Sequence, residues 1–174
     1  MQPIKRRRSS DRSPALLRSS LKLTKNKSVR IGWLTESATP CVEISSSEKT
    51  ARLDPELWTS LKNYAASVTD YFETSVIPSY VDSSVQFVKY FGKPHVKLGS
   101  KNTRVALNAE DWKALVNSFE AIDSALDVAT RSSHLVISHL NNISHALKVS
   151  GIEKVCITFG DEQYNVLRVR FPVA

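Results

Sequence analysis

The sequence predicts an α+β protein made of two antiparallel-sheet-plus-helix repeats, an internal pseudo-dimer with helices packed between or against the sheets. Three observations predict it. Short runs of alternating apolar and polar residues give way to a longer run with apolar residues three and four apart, and this happens twice. The phrase joining strand to helix is written twice, as "LDPELWTSLKNYA" from Leu53 and "LNAEDWKALVNSF" from Leu107. At that offset of 54, Leu53/Leu107, Glu56/Glu110, Trp58/Trp112, Leu61/Leu115 and Asn63/Asn117 are identical, and Val68/Ile122 and Phe72/Leu126 are conservative.

Residues 1–27 are expected to be a disordered basic tail. They are rich in Ser, Arg, Lys and Pro and hold too little apolar surface to offset ordering entropy. "KRRR" (Lys5, Arg6, Arg7, Arg8) is a nuclear-import candidate, and Ser13-Pro14 is a candidate phosphorylation site. Residues 1–30 carry ten basic residues against Asp11 alone, net +9; the whole chain is +7, so the remainder is −2. The basic character of the chain thus resides in its first thirty residues and says little about the body.

The first repeat is expected over 28–77. "SVRIGWL", "CVEIS" and "TARLD" are short alternating runs, hence antiparallel strands with one buried face. Asp54 is an N-cap, Pro55 suits the first helical position, and Glu56 favours the positive helix end. Trp58, Leu61, Ala65, Val68 and Phe72 then form one helical face, and the helix is expected to stop before Pro78. The second repeat, 84–130, restarts the pattern with "SVQFVKYF", "KPHVKLGS" and "NTRVALN". Asn108 caps the next helix, whose stripe is Trp112, Leu115, Phe119, Ile122 and Leu126. Trp58 and Trp112 are structural anchors of the two helices. Trp33, in line with Val29 and Ile31, belongs to the core, with base stacking as the alternative.

Residues 131–174 are expected to complete the same globular domain. "HLVISHLNNISHALKV" either continues the second helix or forms another after a break at "TRSS". "KVCITFGDEQYNVLRVRF" is a hairpin with its turn at "GDEQ", and its strands would extend a sheet.

Catalytic chemistry finds no support in the sequence. It has no Gly-rich phosphate loop, no nucleophile elbow and no paired carboxylates at a strand end. His134, His139 and His145 are five and six apart, not the i, i+4 spacing of a zinc helix, and Cys41 and Cys156 belong to no CxxC. The expectation is a non-enzyme without metal or cofactor, with reduced cysteines and an intracellular location. No apolar run approaches the ~20 residues that span a membrane, and no apolar leader begins the chain.

The second repeat's strands carry the functional signal. From Val85 to Leu107 the sequence holds Lys89, Lys93, Lys97, Lys101 and Arg104 and no acid, with Tyr90, Phe91 and His95 among them. Cations that follow a phosphate backbone, with aromatic faces for unstacked bases, suit single-stranded nucleic acid. These eight residues are the candidate interface, joined in the first repeat by Arg30 and Arg52. That repeat is weaker: Val29–Asp54 sums to −1.

"FGKPHVKLGSKNTRVALNAEDWKALVNSFEAIDSAL" resembles the single-stranded-DNA-binding domain of the positive cofactor four family of transcriptional coactivators. The matching residues are Phe91, Gly92, Lys93, Val96, Leu98, Lys101, Val105, Leu107, Asn108, Glu110, Trp112 and Leu115. "ARLDPELWTSL" matches the same strand-to-helix passage and keeps its proline as Pro55. The resemblance covers about 45 residues per copy. It implies a four-stranded sheet followed by a helix, paired so that helices lie between two grooved sheets. It further implies stacking by Phe91 and backbone contacts by Lys93, Lys97 and Lys101. Two units in one chain are also similar to the Whirly proteins and the mitochondrial guide-RNA-binding proteins. The expected function is binding of single-stranded or melted DNA with little sequence preference, in nuclear transcription or genome replication and maintenance. The expected partners are transcription or replication machinery and further copies of the chain. RNA binding, or a structural, oligomerising role on the same fold, are the alternatives.

Overall fold

The computed structural model describes residues 15–34, 37–100, 103–150, 154–159 and 162–168. The basic cluster at 5–8, Ser13 and Lys101 lie outside them. Strands β1 (Ala15–Thr24), β2 (Lys27–Leu34), β3 (Pro40–Ser45) and β4 (Thr50–Leu53) form one antiparallel sheet in that order. Helices α1 (Pro55–Asn63) and α2 (Ala65–Thr74) follow. Strands β5 (Val85–Tyr90), β6 (Lys93–Leu98) and β7 (Val105–Leu107) form a second antiparallel sheet, ahead of α3 (Ala109–Asn117) and α4 (Phe119–Ser150). Among the described residues the architecture is α+β, with sheets of four and three strands and four helices, plus a two-stranded sheet near the C-terminus.

Strand β1 corrects the expected tail. Ten residues of that segment form a strand, and eight of them pair with β2 across a turn at Lys25 and Asn26, with irregularities at Arg18 and Leu23. This part of the segment carries Leu16, Leu17, Leu21 and Leu23, so it is richer in apolar residues than the segment as a whole, and an edge strand needs only one ladder. The first sheet therefore has four strands where three are obvious in the sequence.

The helix starts form as their caps dictate. The Asp54 carboxylate accepts from the Leu57 amide at 2.8 Å, with Pro55 at the first helical position. Asn108 and Asp111 form a reciprocal capping box, with bonds of 2.8 and 3.3 Å. Each expected helix is in fact two. The chain breaks at Tyr64 (φ −92°, ψ 0°) and at Ser118 (φ −99°, ψ 0°). The Tyr64 amide is shared between the Ser60 and Leu61 carbonyls at 3.0 and 3.2 Å, and the Ser118 amide bonds three residues back to Leu115 at 3.0 Å, a local 3₁₀-type tightening. Helix α2 ends at Thr74, closed by left-handed Ser75 (φ 58°), ahead of Pro78 as expected. Helix α4 runs unbroken through "TRSS", where the hydroxyls of Ser132 and Ser133 donate to the carbonyls of Val128 and Ala129 one turn back and so are satisfied within the helix.

The core of Ala15–Ser133, one compact unit, lies under both sheets. Val29, Ile31, Val42, Ile44, Ala51 and Leu53 of the first sheet are buried, as are Val85, Val96, Leu98, Val105 and Leu107 of the second. Trp58, Leu61, Val68, Tyr71, Trp112, Leu115 and Ile122 fill the helical layer. Trp33 is buried, and its indole N–H donates to the Ala129 carbonyl at 2.9 Å, so it belongs to the core.

The strand registers recur. Val42 pairs with Leu53 and Ile44 with Ala51; 54 residues on, Val96 pairs with Leu107 and Leu98 with Val105. The breaks at Tyr64 and Ser118 keep the same offset. Contacts between the halves are reciprocal as well. The Trp58 indole donates to Asp123 at 2.7 Å and the Trp112 indole to Thr69 at 3.0 Å, and Asp123 stands to Thr69 as Trp112 stands to Trp58.

The C-terminal part of α4, from His134, belongs to a second unit with strands β8 (Lys154–Phe159) and β9 (Glu162–Arg168). These form the expected hairpin, pairing Phe159 with Glu162. They make a two-stranded sheet of their own and do not extend either of the others.

Candidate nucleic-acid interface

Period-two alternation divides the second sheet into two faces. Val85 and Phe87 of β5, Val96 and Leu98 of β6, and Val105 and Leu107 of β7 point inward. Gln86, Val88 and Tyr90 pair across the ladder with Lys97, His95 and Lys93 and share the outer face. The structure thus gathers Tyr90, Lys93, His95 and Lys97 on one surface. Lys89 is paired with Pro94 and falls on the other side of the strand, in line with Phe87. Neither Lys89 nor Lys93 has an acidic partner among the described residues.

A two-residue turn, Phe91-Gly92, joins β5 to β6. Both residues have positive φ, 50° and 76°, the pattern of a type I′ hairpin turn. Glycine takes this conformation freely, whereas phenylalanine does so at a cost of about 1–2 kcal/mol. No burial offsets that cost, because Phe91 is 104% exposed. A large apolar ring therefore stands in water at the hairpin tip, in a backbone conformation disfavoured for its type.

Tyr90, next to it, is held. The Lys97 ammonium lies 5.4 Å from its ring centroid and the His95 ring meets it edge-on at 5.0 Å. His95 is anchored by its Nδ1, 3.0 Å from the Lys93 carbonyl oxygen. Arg104 acts as a brace. It donates to the Gln86 side chain at 2.8 Å and to the carbonyls of Gly99 and Ser83 at 3.3 Å, with no acid to neutralise it among the described residues. Gly99 is required where the sheets approach: its φ is +114°, and a Cβ there would lie 2.8 Å from Ala51 and 2.5 Å from the Thr103 carbonyl oxygen.

The first sheet has a different outer face. Glu43, which holds the register position of Lys97, is buried between two cations. Arg52 reaches it at 3.0 Å and Arg30 at 3.9 Å. The structure thus places Arg30 and Arg52 together and ties both to a carboxylate. Cys41 lies on the same face, buried, and that burial pushes its thiol up to about 11. The Glu43 clamp could have been anticipated, because strand alternation places Arg30, Glu43 and Arg52 on one side of three adjacent strands.

Among the described residues no group of His, Cys, Asp and Glu is gathered as a metal site, and no helix is long and apolar enough to cross a membrane. Comparisons of the chain with protein-family models, with curated proteins and with solved structures find no match in any of the three.

Proposed function

We propose that the chain binds single-stranded nucleic acid through the outer face and hairpin tip of its second sheet, as an internal pseudo-dimer of the positive cofactor four kind. The observation that carries this reading is Phe91, a fully exposed aromatic ring in a disfavoured conformation beside an acid-free row of cations. Stacking on an unpaired base gives such a ring the contact that the fold denies it. Lys93 and Lys97 neutralise phosphates, and Tyr90, one face already occupied by Lys97, contributes its edge and hydroxyl.

The pseudo-dimer reading is supported by the recurring register, the recurring helix break and the reciprocal tryptophan bonds. Within it the first sheet is the structural partner, since Glu43 already satisfies its two arginines. DNA is the proposed ligand, in nuclear transcription or genome maintenance, with the basic N-terminal segment adding non-specific attraction and the import signal.

The test removes that segment. The chain from Ala15 onward keeps β1 intact, which a cut at Lys27 would not. Titration with a fluorescent single-stranded oligonucleotide over a range of salt should show binding that weakens as salt rises. Competition with the matching RNA and duplex decides the ligand class. Loss of all salt-dependent binding in this shortened chain would assign the activity to the N-terminal segment and refute the proposal.

A further inference from the structure

The two sheets differ by one strand, and the difference leaves an open edge. In the first sheet β2 is covered by β1; its counterpart β5 has β6 on one side and, among the described residues, no strand on the other. The Gly99 amide donates to the Ser84 carbonyl at 2.9 Å, which sets the ladder's phase. Residues 84, 86, 88 and 90 turn their backbone groups toward β6, and Val85, Phe87 and Lys89 turn theirs outward. The Val85 amide is capped by the Asp82 carbonyl at 3.0 Å. The Val85 carbonyl and both backbone groups of Phe87 and Lys89 have no partner among the described residues. Beside this edge the loop from α2 exposes Val76, Ile77, Tyr80 and Val81. Ile77 and Val81, with Val85 and Phe87, line an open cleft of about 340 Å³.

We infer that a second copy of this chain closes this edge, its β5 running antiparallel to the first about a two-fold axis at Phe87. The edge is self-complementary. Phe87 exchanges an N–H and a C=O with its twin, and each Lys89 amide meets the carbonyl of the partner's Val85, making four hydrogen bonds. The capped Val85 amide ends the ladder there, so a longer foreign strand has nothing more to pair with. No like charges oppose: Lys89 falls opposite Val85, and Gln86 opposite Val88. The outcome is a six-stranded sheet with both basic faces on the same side, and the exposed apolar loops flank the joint.

The experiment uses the full chain without nucleic acid, so its outcome does not depend on whether the basic face binds single strands. Sedimentation over a concentration series should show a monomer–dimer equilibrium. Lys89→Pro removes the outward amide and spares the β6 ladder, so it should raise the dimer dissociation constant at least about tenfold. Lys89→Gln keeps the amide and should leave the equilibrium in place; Ile77→Lys should weaken it from the loop. Mixing Gln86→Cys chains with Val88→Cys chains should give a disulfide-linked pair that neither variant gives alone. A chain that stays monomeric at every concentration, a dimer indifferent to Lys89→Pro, or absence of the mixed disulfide would overturn the inference.

Discussion

Replacing Phe91 by asparagine should move stability and binding in opposite directions. The Phe91-Gly92 turn has positive φ at both residues, and Asn-Gly is the pair best suited to it. The wild-type ring packs on nothing, so its removal sacrifices no burial. Relief of the left-handed penalty should therefore stabilise the fold by about 1 kcal/mol, which for a chain of this size raises Tm by roughly 2–4 °C. The same substitution removes one stacking platform, worth about 1–3 kcal/mol. Affinity for a single-stranded oligonucleotide should fall about 5- to 150-fold. Because phenylalanine carries no charge, the slope of log affinity against log salt should not change. Scanning calorimetry and fluorescence anisotropy on the two proteins measure both quantities. A variant that melts lower, or that binds as tightly as the parent, would refute the idea that Phe91 is held in that conformation for a ligand.

Other perturbations test the remaining parts. Lys93→Ala with Lys97→Ala should flatten the salt slope by about 1.4, two phosphates at ~0.7 each. Arg30→Ala with Arg52→Ala should change it less, since both arginines already face Glu43; equal losses would remove the asymmetry between the sheets. Double-mutant cycles on Trp58→Phe with Asp123→Ala, and on Trp112→Phe with Thr69→Val, should each give a coupling of about 0.5–1.5 kcal/mol in denaturant unfolding. Zero coupling in both would show that the indoles do not join the halves through these bonds. Gly99→Ala should destabilise by at least about 1–3 kcal/mol, because φ +114° and the approach to Ala51 both exclude a methyl group. At Asp82, burial opposes the charge, but bonds from the Ser84 and Ser60 hydroxyls and the Ser84 amide prevail and hold its carboxyl below the usual range. Its contribution to stability is therefore complete above the unfolded-state pKa and is lost as pH falls through the lower folded value. Ser60→Ala should shift acid unfolding to higher pH in a circular-dichroism titration.

The fold was legible where one signal dominated. The caps at Asp54 and Asn108, the alternating strands and the second tryptophan stripe lie where local chemistry puts them, whereas past the break at Tyr64 the first stripe buries Tyr64 and Tyr71 in place of Ala65 and Phe72. Strand β1 was only partly legible: "LKLTKNK" offers an alternating run that could supply a fourth strand, but the surrounding Ser, Arg and Lys masked its extent, which pairing with β2 reveals. The helix breaks were hidden because neither Tyr64 nor Ser118 is a Gly or Pro, the residues that mark a helix end in sequence. In the candidate site, the charge count located the second sheet and strand parity sorts its residues. Parity separates Lys89 from Lys93, Lys97 and His95, and it brings Glu43 between Arg30 and Arg52. The exposed loop at Val76–Val81 carried no pattern, and it gains meaning only from the edge of β5 beside it, which no strand covers among the described residues.

The reciprocal tryptophan bonds also constrain the order in which the chain can fold during synthesis. Trp58 waits for Asp123, 65 residues further on, before its indole N–H finds its acceptor. Trp112 looks back 43 residues to Thr69. The first half leaves the ribosome with its sheet and helix able to form but with the Trp58 indole lacking its Asp123 acceptor, so its native contacts are completed only once α4 has been made. Gene fragments carrying one repeat should give a chain that needs its other half, supplied in trans, to reach a cooperative native state.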